Sequence, residues 1–140
     1  MINPTKTNPL NQNIELGKIA WYRDYDQALA ESTRLNKPIF LFFQEIPGCS
    51  TCVNFGRDVL THPLMVETIE NEFIPLAIHN NKSGKDAAIL AKYNEPAWNN
   101  PVVHFVNSKG EAIISKLTNN YDPLSMYSKI VEVLLMTKGT

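Results

Sequence analysis

The chain has no cluster of basic residues and no long apolar run. Its thirteen lysines and arginines are balanced by fourteen acidic residues, and the formal net charge is −1. A surface for nucleic acid or anionic lipid needs concentrated positive charge, and a membrane-crossing helix needs roughly 20 consecutive apolar residues. We therefore expect no nucleic-acid partner and no membrane association.

The first 17 residues have little apolar character. They are polar and rich in asparagine, and Pro4 and Pro9 interrupt them. Because they contain no apolar core of signal-peptide type, the sequence predicts a cytoplasmic protein. The length of 140 residues and the 44% hydrophobic content suit one compact domain. We expect a flexible N-terminal arm without chemistry over residues 1–17 and a single domain over residues 18–140.

Cysteine is scarce, and its two copies stand three positions apart. Cys49 and Cys52 form a C-x-x-C directly after Pro47 and Gly48. In a reducing compartment, a C-x-x-C within an α/β pattern is more typical of a redox site than of a structural disulfide. A cysteine that acts only as a small buried hydrophobe explains neither the spacing nor the Pro-Gly turn. The pair therefore indicates a redox protein.

Histidine is also scarce, and this argues against a metal site. A tetrahedral zinc site would need two ligands besides the cysteines. His62, His79 and His104 are isolated rather than paired at ligand spacing. We expect no metal and no other cofactor.

The residues around the C-x-x-C explain how it could become reactive. Residues 38–46 form a nearly continuous apolar run typical of a buried strand, and residues 53–60 are compatible with a helix. If that helix begins at the C-x-x-C, Cys49 lies beside unpaired backbone N–H groups and Cys52 lies one turn later on the same face. The helix end would stabilise a thiolate by roughly 0.3–1 kcal/mol, or up to about 2 when partly buried. We expect a moderately lowered pKa for Cys49.

Apolar periodicity and capping residues predict the remaining elements. Strands are expected over residues 18–21, 38–46, 73–79, 102–106 and 111–117, the last two as a hairpin. Helices are expected to begin at Asp24 with Gln27, at Thr61, at Ser83 with Asp86, and at Asp122 with Pro123. The last helix is expected to bury Leu124, Tyr127, Ile130, Val131, Leu134 and Leu135.

The order of these elements predicts an α/β fold with a central mixed β-sheet flanked by helices on both faces. Pro75 cannot donate a ladder hydrogen bond, so its strand should start late or lie near an edge of the sheet. A second informative stretch, residues 95–101, holds Trp98 and two prolines immediately before the apolar strand 102–106.

The strand that leads into a C-x-x-C helix, the Pro-terminated loop before a hairpin and the closing helix together resemble the thioredoxin-like superfamily. The resemblance covers roughly Trp21 to Met136. The segments WYRDYDQALAESTRLNKPIFLFFQ and HPLMVETIENEFIPLAI are similar to a branch in which a helix precedes a Lys-Pro strand. The tetrad Ile-Pro-Gly-Cys is also similar to the Val-Pro-Gly-selenocysteine motif of a group of bacterial thioredoxin-like proteins, where Cys49 would occupy the selenium position.

The resemblance implies a role for each site residue. Cys49 would be the attacking nucleophile and Cys52 the resolving thiol. Pro101 would be a cis-proline facing them, which is chemically reasonable because cis bonds are nearly confined to proline. The backbone of Asn100 would then pair with an extended substrate, and Trp98 and Gly48 would complete the substrate site.

The chain also departs from the family pattern beside the cysteines. Gly48 stands where the family often has Trp, and Phe43 stands where typical thioredoxins bury an acidic residue. These departures leave open which group relays protons to Cys52. Glu45 is one candidate, and a plain turn role for Glu45 is the alternative.

Three functions remain compatible with the residues. The first is a thiol–disulfide oxidoreductase that acts on a protein or small-molecule disulfide and is regenerated by a reducing dithiol partner. The second is a non-catalytic module that binds a partner or senses redox state, and the third is a thiol peroxidase. Ser50 and Thr51 are neutral, so the motif predicts a reducing protein, with a potential nearer about −270 mV than −120 mV.

Overall fold

The computed structural model of the chain describes residues 6–118 and 122–138. A short 3-10 helix, Ile14–Leu16, comes first. The helices are α1 Tyr25–Leu35, α2 Ser50–Asp58, α3 Pro63–Glu72, α4 Lys85–Lys92 and α5 Pro123–Lys138. The strands are β1 Ile39–Gln44, β2 Ile74–His79 and β3 Val102–Val106.

The three strands form one mixed sheet in the order β2-β1-β3. The central strand β1 runs parallel to β2 and antiparallel to β3, and Phe42 pairs with Ala77 on one side and Val103 on the other. Every residue of β1 is buried, as its continuous apolar run predicts. The mixed sheet and the α/β class are confirmed.

The side chains of β1 alternate between two cores, one on each face of the sheet. Phe40 and Phe42 lie in a core with residues of α2, α3 and α5, while Leu41 lies in a second core with residues of α1 and α4. Aromatic rings fill much of the first core, in which the Trp21 ring centroid lies 5.1 Å from that of Phe42. This alternation confirms that helices cover both faces.

Two of the predicted helix starts are confirmed, and two are wrong. Asp24 accepts a hydrogen bond from the N–H of Gln27, and Asp122 accepts one from the N–H of Ser125. His62 caps α3 in place of Thr61. The reason is local, because the Thr61 hydroxyl donates to the carbonyl of Arg57 in the preceding helix.

Helix α4 begins after Gly84 rather than after Ser83, and the predicted capping pair does not form. Asp86 instead accepts a 2.8 Å hydrogen bond from Arg23, which lies 63 positions earlier in the chain. A charged hydrogen bond to a distant guanidinium is stronger than a local capping bond, so the carboxylate turns away from the helix end.

Two predicted strands are reduced to bridges. The first, predicted over residues 18–21, is replaced by bridges of the next residue, Tyr22, which pairs in parallel with Leu76 and antiparallel with Lys6. The hairpin partner survives as the bridges Val103–Leu117 and Val106–Ala112. Residues 18–21 form other hydrogen bonds instead: the N–H of Lys18 donates to the carbonyl of Leu60, and the indole N–H of Trp21 donates to the carbonyl of Leu16. Pro75 is in the edge strand β2, as predicted.

The boundary predicted at residue 18 passes through packed structure. Glu15 and Leu16 are 4% exposed, and Gly17 leaves no room for a side chain against Leu60. The expectation of a flexible arm is therefore wrong for residues 14–17, and residues 1–5 lie outside the described part of the chain.

The buried stripe of α5 is rotated from the predicted one. Met126, Ile130 and Val133 are buried, whereas Leu124 and Leu135 are largely exposed. Apolar residues occur around most of this helix, so periodicity alone does not select one stripe. Within the described residues, no helix has both the length and the apolar character required to cross a membrane.

Candidate active site

The two cysteines lie at the N-terminal end of α2, directly after the turn of residues 45–48. Cys49 is the N-cap residue and is exposed, whereas Cys52 is fully buried one helical turn later. Both are free thiols, and their sulfur atoms are 3.0 Å apart. The predicted placement of both residues is confirmed.

The surroundings push the pKa values of the two thiols in opposite directions. Partial burial raises the pKa of Cys49, but hydrogen bonds from the Cys52 thiol and from the backbone N–H groups of Cys52 and Thr51 outweigh it, so the pKa is lowered overall. Burial, followed by the hydrogen bond to Cys49, raises the pKa of Cys52 to about 12. The pair therefore consists of an accessible, ionisable thiol and a buried thiol that keeps its proton.

The backbone of the 45–48 turn is held by a buried carboxylate that the sequence analysis missed. Glu15 Oε2 accepts a 2.6 Å hydrogen bond from the N–H of Gly48, immediately before the nucleophile. A side chain at Gly48 would bring its Cβ to 2.5 Å from the Cβ of Cys52 and closer still to the carbonyl of Glu45. Only glycine therefore fits at this position.

Gln44 connects the segment of Glu15 to the helix of the cysteines. Its side-chain amide donates two 3.1 Å hydrogen bonds, one to the carbonyl of Glu15 and one to that of Cys52. Gln44 is itself fully buried at the end of β1. The 3-10 helix, β1 and α2 are thus joined by polar contacts directly behind the thiols.

The 94–101 loop also reaches Cys49. The Cys49 thiol is 3.5 Å from Oδ1 of Asn100, although 51 positions separate the two residues. Pro101 is buried at the start of β3, and Trp98 is 68% exposed. Asn100 therefore reaches Cys49. The position of Pro101 beside the Cys49 sulfur and the substrate-binding roles of Gly48, Trp98, Asn100 and Pro101 remain predictions.

The prediction of a cis bond at Pro101 is wrong. Within residues 6–118 and 122–138, the cis peptide bond is Ile46–Pro47. The cis and trans forms of an X-Pro bond differ by only about 0.5–1 kcal/mol, so tertiary contacts decide between them and sequence position does not.

A buried ionic cluster fixes the 94–101 loop to the sheet. Glu95 Oε2 is 2.7 Å from Nε2 of His104 on β3 and accepts a 2.9 Å hydrogen bond from Lys116. Burial lowers the pKa of His104, against the opposing effect of Glu95. His104, which looks isolated in the sequence, is thus a structural partner of the loop.

Glu45 brings a third possible ligand to the thiols. One carboxylate oxygen of Glu45 and the sulfur atoms of Cys49 and Cys52 all lie within 4.8 Å of one another. Three donors are one fewer than a closed tetrahedral zinc site requires, so the described residues fit a thiol pair better than a structural metal centre. The charge of Glu45 also raises the pKa of Cys49. Its role as a proton relay stays a prediction.

Comparisons with known proteins agree with this fold. A family model described as thioredoxin-like matches residues 20–108. A thioredoxin from Thermus thermophilus is similar in structure, with a TM-score of 0.71, 18% identity, and coverage of 85% of this chain and 89% of that one. A DsbH oxidoreductase is similar with a TM-score of 0.69 and 18% identity, and the match covers 89% of this chain and 90% of that one. A putative disulphide-isomerase from Bacteroides thetaiotaomicron is similar with a TM-score of 0.64 and 21% identity, and the match covers 87% of this chain and 95% of that one. No curated protein matches the chain.

Proposed function

Because the chain belongs to the thioredoxin-like family, we propose that it is a thiol–disulfide oxidoreductase, with Cys49 as nucleophile and Cys52 as resolving thiol. One observation carries the proposal. An exposed thiol with a lowered pKa stands 3.0 Å from a buried thiol whose pKa is raised to about 12. This asymmetry supplies a nucleophile and a second thiol that stays protonated until the first has reacted.

The reaction proceeds in two exchanges. The Cys49 thiolate attacks one sulfur of a substrate disulfide, the substrate S–S bond breaks, and its other sulfur leaves as a thiolate that takes a proton from water. Cys52 then loses its proton and attacks the Cys49 sulfur, which releases the second substrate thiol. Two electrons have passed to the substrate, and a Cys49–Cys52 disulfide remains until a reducing dithiol partner cleaves it.

The electrostatics around Cys49 favour the reductase direction. Its thiolate is stabilised by hydrogen bonds, and the negative charge of Glu45 acts against it. Strong oxidants of this type owe their potential to a strongly stabilised reduced thiolate. We therefore propose a potential nearer about −270 mV than −120 mV, and a cytoplasmic location, where dithiols are kept reduced.

The substrate site is proposed to lie between the 45–48 turn and the 94–101 loop. The backbone of Asn100 would pair with an extended substrate beside Cys49, and the exposed ring of Trp98 would contact an apolar group next to the substrate disulfide. The four residues Ile-Pro-Gly-Cys that end at Cys49 support a narrower likeness to the Val-Pro-Gly-selenocysteine group, with Cys49 at the selenium position.

Reduction of insulin disulfides, with dithiothreitol as electron donor, tests the function. We expect many turnovers per molecule and none by Cys49→Ser. Consumption of a single equivalent would instead favour the binding or redox-sensing module. Equilibration with glutathione buffers of defined potential tests the direction, and a midpoint at the oxidising end would overturn the reductase assignment while leaving the exchange chemistry intact.

A further inference from the structure

Two consecutive asparagines, Asn80 and Asn81, lie where β2 ends, between the two segments that flank Cys49. Asn80 is 1% exposed, and its N–H donates to the carbonyl of Gln44 on the neighbouring strand. This bond extends the β1–β2 pairing by one residue. The backbone of Asn80 is therefore fixed to the end of the sheet, and Asn81 follows it directly.

Asn81 holds the 45–48 turn through both ends of its amide. Its Oδ1 accepts from the N–H of Ile46 at 3.2 Å, and its Nδ2 donates to the carbonyl of Ile46 at 3.0 Å. Ile46 is 3% exposed, so these backbone groups have little access to water. A carboxylate lacks the donor and an aliphatic side chain lacks both groups, so the contact requires an amide.

Asn80 holds the 94–101 loop in a similar way. The side-chain Nδ2 of Asn80 donates to the carbonyl of Asn99 at 2.9 Å. The backbone carbonyl of Asn80 accepts from the N–H of Trp98 at 3.3 Å. The next residue, Asn100, is the one that reaches the Cys49 sulfur. Oδ1 of Asn80 is buried without a partner among the described residues, a cost to folding that the contact with the loop has to offset.

We infer that Asn80 and Asn81 form a clamp that sets the separation between the 45–48 turn and the 94–101 loop, and so the width of the slot that seats a substrate disulfide beside Cys49. Both are positioning residues, since neither touches the reacting sulfur atoms. The inference rests on the proposed function. It follows from geometry, because one dipeptide bonds to both the 45–48 turn and the 94–101 loop.

The clamp matters for substrates that must be aligned with Cys49. Disulfide exchange needs the attacked sulfur in line with the Cys49 sulfur, and misplacement of reacting atoms lowers rates sharply. Iodoacetamide is small and reacts with any accessible thiolate, so its rate reports Cys49 ionisation and exposure without the slot.

The experiment compares these two reactions in Asn80→Ala and Asn81→Ala. We expect kcat/KM for insulin reduction to fall about tenfold in each, mainly through a higher KM, while the iodoacetamide rate of Cys49 stays within about twofold. Asn71→Ala, an exposed residue of α3, is the matched control and should change neither rate. Ile130→Val, in the core face of α5, provides a destabilised protein with both asparagines intact, and its kcat/KM should stay near that of the wild type.

The double variant gives the sharper test. If the two contacts acted independently, the losses in kcat/KM would multiply to about a hundredfold. A clamp fails once either side is released, so kcat/KM of Asn80→Ala/Asn81→Ala should stay within about threefold of that of the worse single variant. Unchanged insulin kinetics, an equal fall of both rates, or a multiplicative double variant would each overturn the clamp. Absence of turnover by the unsubstituted protein would instead overturn the proposed function.

Discussion

The 45–48 turn and the 94–101 loop both approach Cys49, yet they are held in different ways. The turn is tied by Glu15 and Asn81 through three hydrogen bonds to its backbone, and it has no room for a side chain at Gly48. The loop is tied at Glu95 and Asn99, and between those points Trp98 has a φ of 57° and is mostly exposed.

This difference separates what must be invariant from what must adapt. The turn leads directly into Cys49 and fixes where its backbone lies, which is the same for every substrate. The loop meets the substrate, and a bulky residue in the left-handed region is a conformation that costs about 1–3 kcal/mol and often marks a binding site. We expect substitutions within residues 45–48 to affect all reactions of Cys49. Loss of the Asn81 contact leaves the Glu15–Gly48 bond in place, so it should affect only reactions with large substrates, as should substitutions in the loop.

The largest effect should come from the cysteines, which the turn positions. Cys49→Ser should abolish exchange, because Cys52 is buried and its pKa is raised to about 12. Cys52→Ser should leave attack intact and block release, so mixed disulfides should accumulate in cells and collapse with dithiothreitol on a non-reducing gel. Equal amounts of mixed disulfide in the two variants would mean that the roles of Cys49 and Cys52 are reversed or shared.

Gly48→Ala should be the next most damaging change. Its Cβ would overlap the carbonyl of Glu45 and approach Cys52 Cβ, and overpacking of this kind costs about 1–3 kcal/mol. We expect both insulin reduction and the iodoacetamide rate to fall at least tenfold. Asn100→Ala, the matched change in the loop, should lower insulin reduction alone, and by less. A larger loss in Asn100→Ala would refute the division between the two segments.

Glu15→Leu should test the buried support of the turn. It leaves the partly buried N–H of Gly48 without its acceptor. An unpaired buried donor costs about 1–3 kcal/mol, and the lower end of that range applies to a partly buried one. We expect the free energy of unfolding in urea to fall by that amount, and Glu15→Gln, which keeps an acceptor oxygen, to recover most of it. No difference between the two variants would show that the contact contributes little.

The pH dependence of Cys49 should shift in opposite directions in two variants. The iodoacetamide rate of the wild type should reach half its maximum below the pH of an ordinary thiol, because the pKa of Cys49 is lowered. Cys52→Ala removes the thiol hydrogen bond and should raise this midpoint. Glu45→Gln removes a charge that raises the pKa and should lower it. Shifts of the same sign would contradict the assignment of these contacts.

The smallest effect is expected from Trp98→Ala. The ring is mostly exposed and supports neither cysteine, so stability and the iodoacetamide rate should be unchanged. KM for insulin should rise about threefold, while Trp98→Phe should stay near the wild type. An unchanged KM in Trp98→Ala would show that the ring is not part of the substrate site.

Local signals in the sequence predicted the parts of the fold that local physics decides. The apolar run of β1, the start of α2 at the C-x-x-C, and the caps Asp24 and Asp122 all depend on residues within a few positions of each other. The same locality explains the errors at Ser83, where Arg23 competes for Asp86, and on α5, where several apolar stripes are possible.

The support of the site could not be predicted in this way. Glu15 reaches Gly48 across 33 positions, and Asn81 reaches Ile46 across 35. Each bond joins a side chain to a backbone group, so no complementary residue type marks the partner in the sequence. The acidic residue between Ile14 and Leu16 was the one signal available, and the polar character of the surrounding segment concealed it.

Reduction of the outer strands to bridges has a consequence for how copies of this protein meet one another. An open strand edge presents unpaired N–H and C=O groups that can recruit a strand from another chain and seed aggregates. On β2, the outward carbonyl of Pro75 and the outward N–H of Ala77 are occupied by Tyr22, and Arg23 takes the carbonyl of Ala77. On β3, Leu117 occupies both outward groups of Val103. Contacts only one or two residues long thereby occupy part of each edge of the three-stranded sheet and hinder edge-to-edge pairing there.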